Sequence, residues 1–151
     1  MTKLMVTVFL CSLLVLPTAV YAGADDILGI WLNQEKNAKI EVLKCGETYC
    51  GKIVWLKEPN YPEDSRDGIP GTQKLDHNNP QKDLRSVPVL GLQIVHDFTY
   101  SGENVWKDGK IYDPKKGKTY SGKMTLVSPN QLNLRGFIGI SLIGRTSLWT
   151  R

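Results

Sequence analysis

From about residue 27 onward, apolar and polar positions alternate in short runs separated by clusters of Gly, Pro, Asn and Asp. That period of two marks half-buried β-strands, and the clusters mark turns. The runs fall at about 27–33, 38–45, 50–57, 91–100, 104–112, 118–127, 131–138 and 142–150. Eight strands joined mostly by short turns, apolar on one face and polar on the other, predict an all-β fold. The expected form is an eight-stranded antiparallel up-and-down barrel, because closure removes exposed edges. Lys, Glu, Asn and Gln on the polar face fit water outside, the reverse of an outer-membrane barrel.

Two hairpins can be set in register. If Cys45 stands opposite Cys50, then Val42 faces Ile53 and Ile40 faces Trp55 on the apolar side. A three-residue turn at Ser128-Pro129-Asn130 pairs Leu126 with Leu132, Met124 with Leu134, Gly122 with Gly136 and Tyr120 with Ile138. That register gathers the apolar residues on one face, though it sets Lys123 against Arg135 on the other. Strand 91–100 alternates so that Leu92, Ile94, His96, Phe98 and Tyr100 share a face. The stretch 58–88 breaks the pattern: it holds five of the eight prolines and shows no periodicity. Asn79-Pro80 there opens a short helical turn over Gln81 to Arg85. So long a loop in a compact domain is expected to serve function, here as a mobile cover over one mouth of the barrel.

The first 22 residues have a different character. Lys3 precedes an almost wholly apolar stretch from Leu4 to Val20, and Val20 and Ala22 stand at signal-peptidase spacing. Residues 1–22 are therefore expected to be a signal peptide cleaved after Ala22, leaving a single domain of residues 23–151 in the periplasm or secreted. Export makes Cys45 and Cys50 an even pair in an oxidising compartment, and a structural disulfide follows. Net charge falls from +4 to 18 − 15 = +3 once Lys3 is lost. That charge is too mild and too dispersed for a nucleic-acid partner. Hydrophobic residues at 41% and charged residues at 23% exclude a disordered chain.

Gly29-Ile30-Trp31 opens the first strand, and Arg145 and Arg151 flank Trp149 in the last. This resembles the lipocalin arrangement, which implies that Trp31 closes the barrel beneath a C-terminal arginine, Arg145 before the terminal Arg151. Longer motifs are more specific. They are C-G-E-T-Y-C-G-K-I-V-W-L from Cys45, D-H-N-N-P-Q-K-D-L-R from Asp76 and P-V-L-G from Pro88. They continue with W-K-D-G-K-I-Y-D-P-K-K-G-K-T-Y from Trp106 and G-R-T-S-L-W-T-R from Gly144. These resemble the DUF2147 family of exported bacterial proteins, which implies a lipocalin-like barrel and export but brings no activity with it.

Candidate chemistry is sparse. His77 and His96 are the only histidines, one between Asp76 and Asn78 in a turn context and one on an apolar face. No nucleophile motif or paired-histidine metal motif is present. The acidic run Glu63 to Gly68 misses calcium-loop spacing and carries Arg66 among its would-be ligands. Neither an enzyme nor a cofactor or metal is expected. The expected role is binding or carrying a small apolar or amphipathic molecule in the cell envelope, without stable membrane insertion. The expected cavity lining is Trp55, Phe98, Tyr120, Met124, Leu134 and Gly136, since glycines at 122 and 136 leave side-chain volume vacant. The alternative is a filled barrel acting on a protein partner through its outer surface.

Overall fold

The computed structural model describes residues 23–151. The expected signal peptide lies outside the described residues. Eight antiparallel strands close in sequence order: β1 (Gly29–Leu32), β2 (Ala38–Cys45), β3 (Thr48–Leu56), β4 (Gln93–Tyr100), β5 (Val105–Asp113), β6 (Lys118–Ser128), β7 (Gln131–Phe137) and β8 (Gly144–Thr150). Among the described residues, one 3-10 turn, Lys82–Leu84, stands in the long loop between β3 and β4. The barrel seam is thin, since β1 meets β8 only at Leu32 and Thr150.

The β6–β7 pairing follows the expected register, with Leu126 opposite Leu132, Met124 opposite Leu134 and Gly122 opposite Gly136. The turn itself is tighter, Pro129-Asn130, and a bulge at Val127 restores the register. Lys123 does lie opposite Arg135. The Arg135 side chain bonds instead to the Ser141 and Leu142 carbonyls at 2.7 and 3.1 Å and to Thr146 Oγ1 at 2.9 Å.

The β2–β3 hairpin departs from expectation. A two-residue turn with Gly46 at φ +66° sets Cys45 opposite Thr48, so Ile40 rather than Val42 faces Ile53. Cys45 and Cys50 still form the disulfide, across a diagonal with Cα atoms 5.9 Å apart. Higher in the hairpin, Val54 has no opposite number, and this bulge reverses the faces beyond it. Trp55 consequently pairs with Lys39 on the outside, its ring 5.5 Å from the lysine Nζ, and is 40% exposed. Trp55 therefore does not line the interior.

Strand β4 is corrected in the same way. Asp97 takes φ +58°, and the paired strand has Asp108 at φ +63°, so alternation slips in both. Val95 takes the inward position over Gly51, whereas His96 turns outward to within 2.9 Å of Gln93 Nε2. Phe98 stays inward and fully buried.

One end of the barrel is stoppered by residues 23–28. Ile27 is fully buried there. The Ile27 carbonyl accepts the Trp31 indole N–H at 2.8 Å, and the Ala24 carbonyl accepts that of Trp106 at 3.1 Å. Tyr49 donates its hydroxyl to Asp25 Oδ1 at 2.6 Å. The arginine over Trp31 is Arg151, its guanidinium 4.3 Å from the ring, not Arg145. Arg151 also donates to the carbonyls of Leu28, Asp26 and Pro129. These acceptors fix the guanidinium over the ring.

Candidate functional site

In an up-and-down barrel with one end stoppered, the connections β1–β2, β3–β4, β5–β6 and β7–β8 gather at the other end. Here the inward side chains change from sealed to accessible. Trp31, Phe98, Trp106 and Met124 are fully buried, and Leu134 nearly so. Toward the open end Ile111, Tyr120 and Gly136 are only half-buried. Arg145, opposite Gly136 and so on the same face, has an 81% exposed side chain that reaches Glu35 at 3.9 Å.

Of the two expected glycine vacancies, that at Gly122 is occupied. The Phe98 ring lies against both Gly109 and Gly122, so close that a Cβ at either would collide with it. Only Gly136 keeps room, since a Cβ there would stand 3.5 Å from Tyr120 Cβ and 3.7 Å from Ile111 Cδ1, ordinary contact distances. Of the expected cavity lining, Phe98, Met124 and Leu134 are core, Tyr120 and Gly136 frame the open end, and Trp55 is outside.

The long loop is fastened to itself and to the barrel. It pairs with itself at Asn60–Gln73 and Leu75–Pro88. Buried Asp76 accepts the Tyr112 hydroxyl at 2.7 Å and the Asn79 amide at 2.7 Å. Burial, then the bond to Asp76, pushes the Tyr112 hydroxyl above its ordinary pKa. Asn78 Nδ2 donates to the Lys115 carbonyl at 2.9 Å, and its own carbonyl packs onto Gly117 at φ +61°. The D-H-N-N-P motif thus docks on the β5–β6 turn. His77 is exposed, its Nδ1 3.3 Å from the Tyr61 hydroxyl. Among the described residues there is no grouping of three or more His, Cys, Asp or Glu able to hold a metal.

The family model described as "Uncharacterized protein conserved in bacteria (DUF2147)" matches residues 29–151. The chain belongs to the DUF2147 family. Its fold is similar to that of protein HP1028 from Helicobacter pylori, described as belonging to the lipocalin family. That likeness has a TM-score of 0.68 at 22% identity and covers 83% of this chain and 82% of the other. No curated protein matches the chain. The lipocalin-like barrel read from Gly29-Ile30-Trp31 and the longer motifs is therefore the fold of this family member, and such a fold is compatible with binding a small ligand.

The sequence reading missed two features of this end. One is the β7–β8 connection, residues 138–143, where Ile138, Ile140, Leu142 and Ile143 are 70%, 59%, 87% and 74% exposed. The signal was masked, since Ile138, Ile140 and Leu142 keep the alternation of the neighbouring strands and read as strand ends. The other is basic: two hollows of about 330 and 320 Å³ on the outer face beside this loop are lined by Lys107, Lys110, Lys123 and Arg135, with Asp108 the one carboxylate.

Proposed function

We propose that this protein is an exported, lipocalin-like binding protein of the bacterial cell envelope that holds a small amphipathic molecule at the open end of a mostly filled barrel. The carrying observation is the change along the barrel axis, from sealed aromatic core to half-buried Ile111, Tyr120 and Gly136 beneath exposed Arg145. Ile111 and Tyr120 offer an apolar floor, and the Arg145 guanidinium offers a partner for an anionic head group. Export rests on the character of residues 1–22, and the Cys45–Cys50 disulfide supports it.

The test uses anilinonaphthalene sulfonate, which combines apolar rings with an anionic group. Titrations are run in an Ile140→Ser, Leu142→Ser background so that the exposed loop does not bind the dye. Gly136→Leu fills the remaining space without a collision at Cβ, so the variant should melt like its parent. Its dye affinity should fall about tenfold or more, a loss of ~1.4 kcal/mol or greater. A second reading, a filled barrel acting through its outer surface, is favoured by the Phe98 ring lying against Gly109 and Gly122. A parent that binds no dye, or a Gly136→Leu variant that binds as well as its parent, selects that second reading.

A further inference from the structure

We infer that residues 138–143 and the cations beside them form a docking surface for the face of a lipid bilayer that carries anionic head groups. This goes beyond the ligand reading and does not depend on it. Four aliphatic side chains on a six-residue connection stand clear of the barrel, each more than half exposed. Leaving so much apolar surface in water is unfavourable, and a soluble monomer gains nothing from it. The core does not require these side chains, because Leu132 and Leu134 of the preceding strand fill it.

The backbone of this loop is held so that the side chains face away. Arg135 donates to the carbonyls of Ser141 and Leu142 and to the Thr146 hydroxyl. All three acceptors are neutral, so they fix the guanidinium without cancelling its charge. Lys107, Lys110, Lys123 and Arg135 line the two hollows, in which Asp108 is the one lining carboxylate, and Ser141 of the loop borders both. An aliphatic tip beside a predominantly positive field is the complement of a bilayer interface, where acyl chains lie just beneath anionic head groups. A second copy of the chain would bring the same cations face to face, and the charge opposes it. A protein partner would be expected to meet aromatic anchors, and the loop has none between Ile138 and Ile143. The attachment is peripheral: among the described residues no helix is long and apolar enough to cross a membrane. One short tip plus a few cations gives reversible, salt-sensitive binding.

The experiment is co-flotation of the protein, isolated as the cell delivers it, with vesicles of equal parts phosphatidylglycerol and phosphatidylcholine. Intact mass is recorded so that a retained apolar N-terminus is not mistaken for the anchor. Binding should be at least about tenfold weaker on pure phosphatidylcholine, because several basic side chains lose their attraction to the surface. Ile140→Ser, Leu142→Ser, Ile143→Ser should weaken it about tenfold or more while leaving the melting curve in place, because all three side chains lie outside the core. Lys123→Glu is the independent charge test. It replaces a like-charged pairing with Arg135 by an opposite one, so weaker binding cannot be ascribed to a lost fold. The inference is overturned if the parent stays with the soluble fraction, or if the loop variant floats as well as the parent. It is overturned equally if sedimentation shows a dimer that the loop substitutions dissolve, which would make a second copy the occupant.

Discussion

Arg151 and Arg145 show how a single residue decides the closed end. Arg151 stacks on Trp31 and gives hydrogen bonds to three carbonyls, whereas Arg145 meets only Glu35, at 3.9 Å and in the open. Arg151→Ala should therefore cost about 1–3 kcal/mol, the range for charged hydrogen bonds together with a cation–π contact. Arg145→Ala should stay within about 0.5 kcal/mol, as for an exposed ion pair. Denaturant melts of the two variants check the order, and equal losses would remove Arg151 from the closure. The sequence contained both arginines and the G-x-W, but nothing local distinguishes an arginine that folds back over the barrel end from one that points out. Phe98 teaches a related lesson: the glycines at 122 and 136 were read as vacancy, and only the tertiary fold brings an aromatic ring onto the first of them.

At the scale of elements, strand positions were legible because alternation and turn residues are local signals, and all eight strands lie within a few residues of their expected places. The bulges were not. Val54, Val127 and the Asp97–Asp108 pair have no compositional mark, yet each slip of one residue turns the chain over. That is why Trp55 and His96 left the face to which alternation had assigned them. The long loop is a further instance, since its length suggested a mobile cover, while Asp76 meets Tyr112 of β5 and Asn78 meets Lys115 in the β5–β6 turn. Gly117→Ala places a Cβ against the Asn78 carbonyl and forces a side chain into φ +61°, at a cost of about 1–3 kcal/mol. The expected result is faster proteolytic cleavage within 58–88 with the barrel still folded. Unchanged cleavage would mean that the loop is anchored elsewhere.

Across the whole molecule, the two ends of the barrel are tied in the same way, each by a tyrosine hydroxyl donating to an aspartate. Tyr49 reaches Asp25 in the stopper, and Tyr112 reaches Asp76 in the long loop. Burial and the bond to Asp25 push Tyr49 up to about 12, and Tyr112 moves upward for corresponding reasons. In the unfolded chain both hydroxyls lose their protons near pH 10, the ordinary tyrosine value. Above that pH the unfolded state binds fewer protons than the folded one, so stability must fall as pH rises. The contribution of both bonds is complete below pH ~10 and drains away as pH climbs through the raised values. At the acid limit the sign reverses. The hydrogen bond from Tyr49 holds the Asp25 carboxyl below its ordinary range, so that part is present above this range and lost as pH falls from it through the lowered value. Tyr49→Phe should remove part of the alkaline loss and soften the acid one, and Tyr112→Phe should remove another part of the alkaline loss. The double variant, less stable at neutral pH, should lose less stability above pH ~10 than either single variant in denaturant melts. A double variant that keeps the full alkaline loss would show that these two bonds do not fasten the barrel ends.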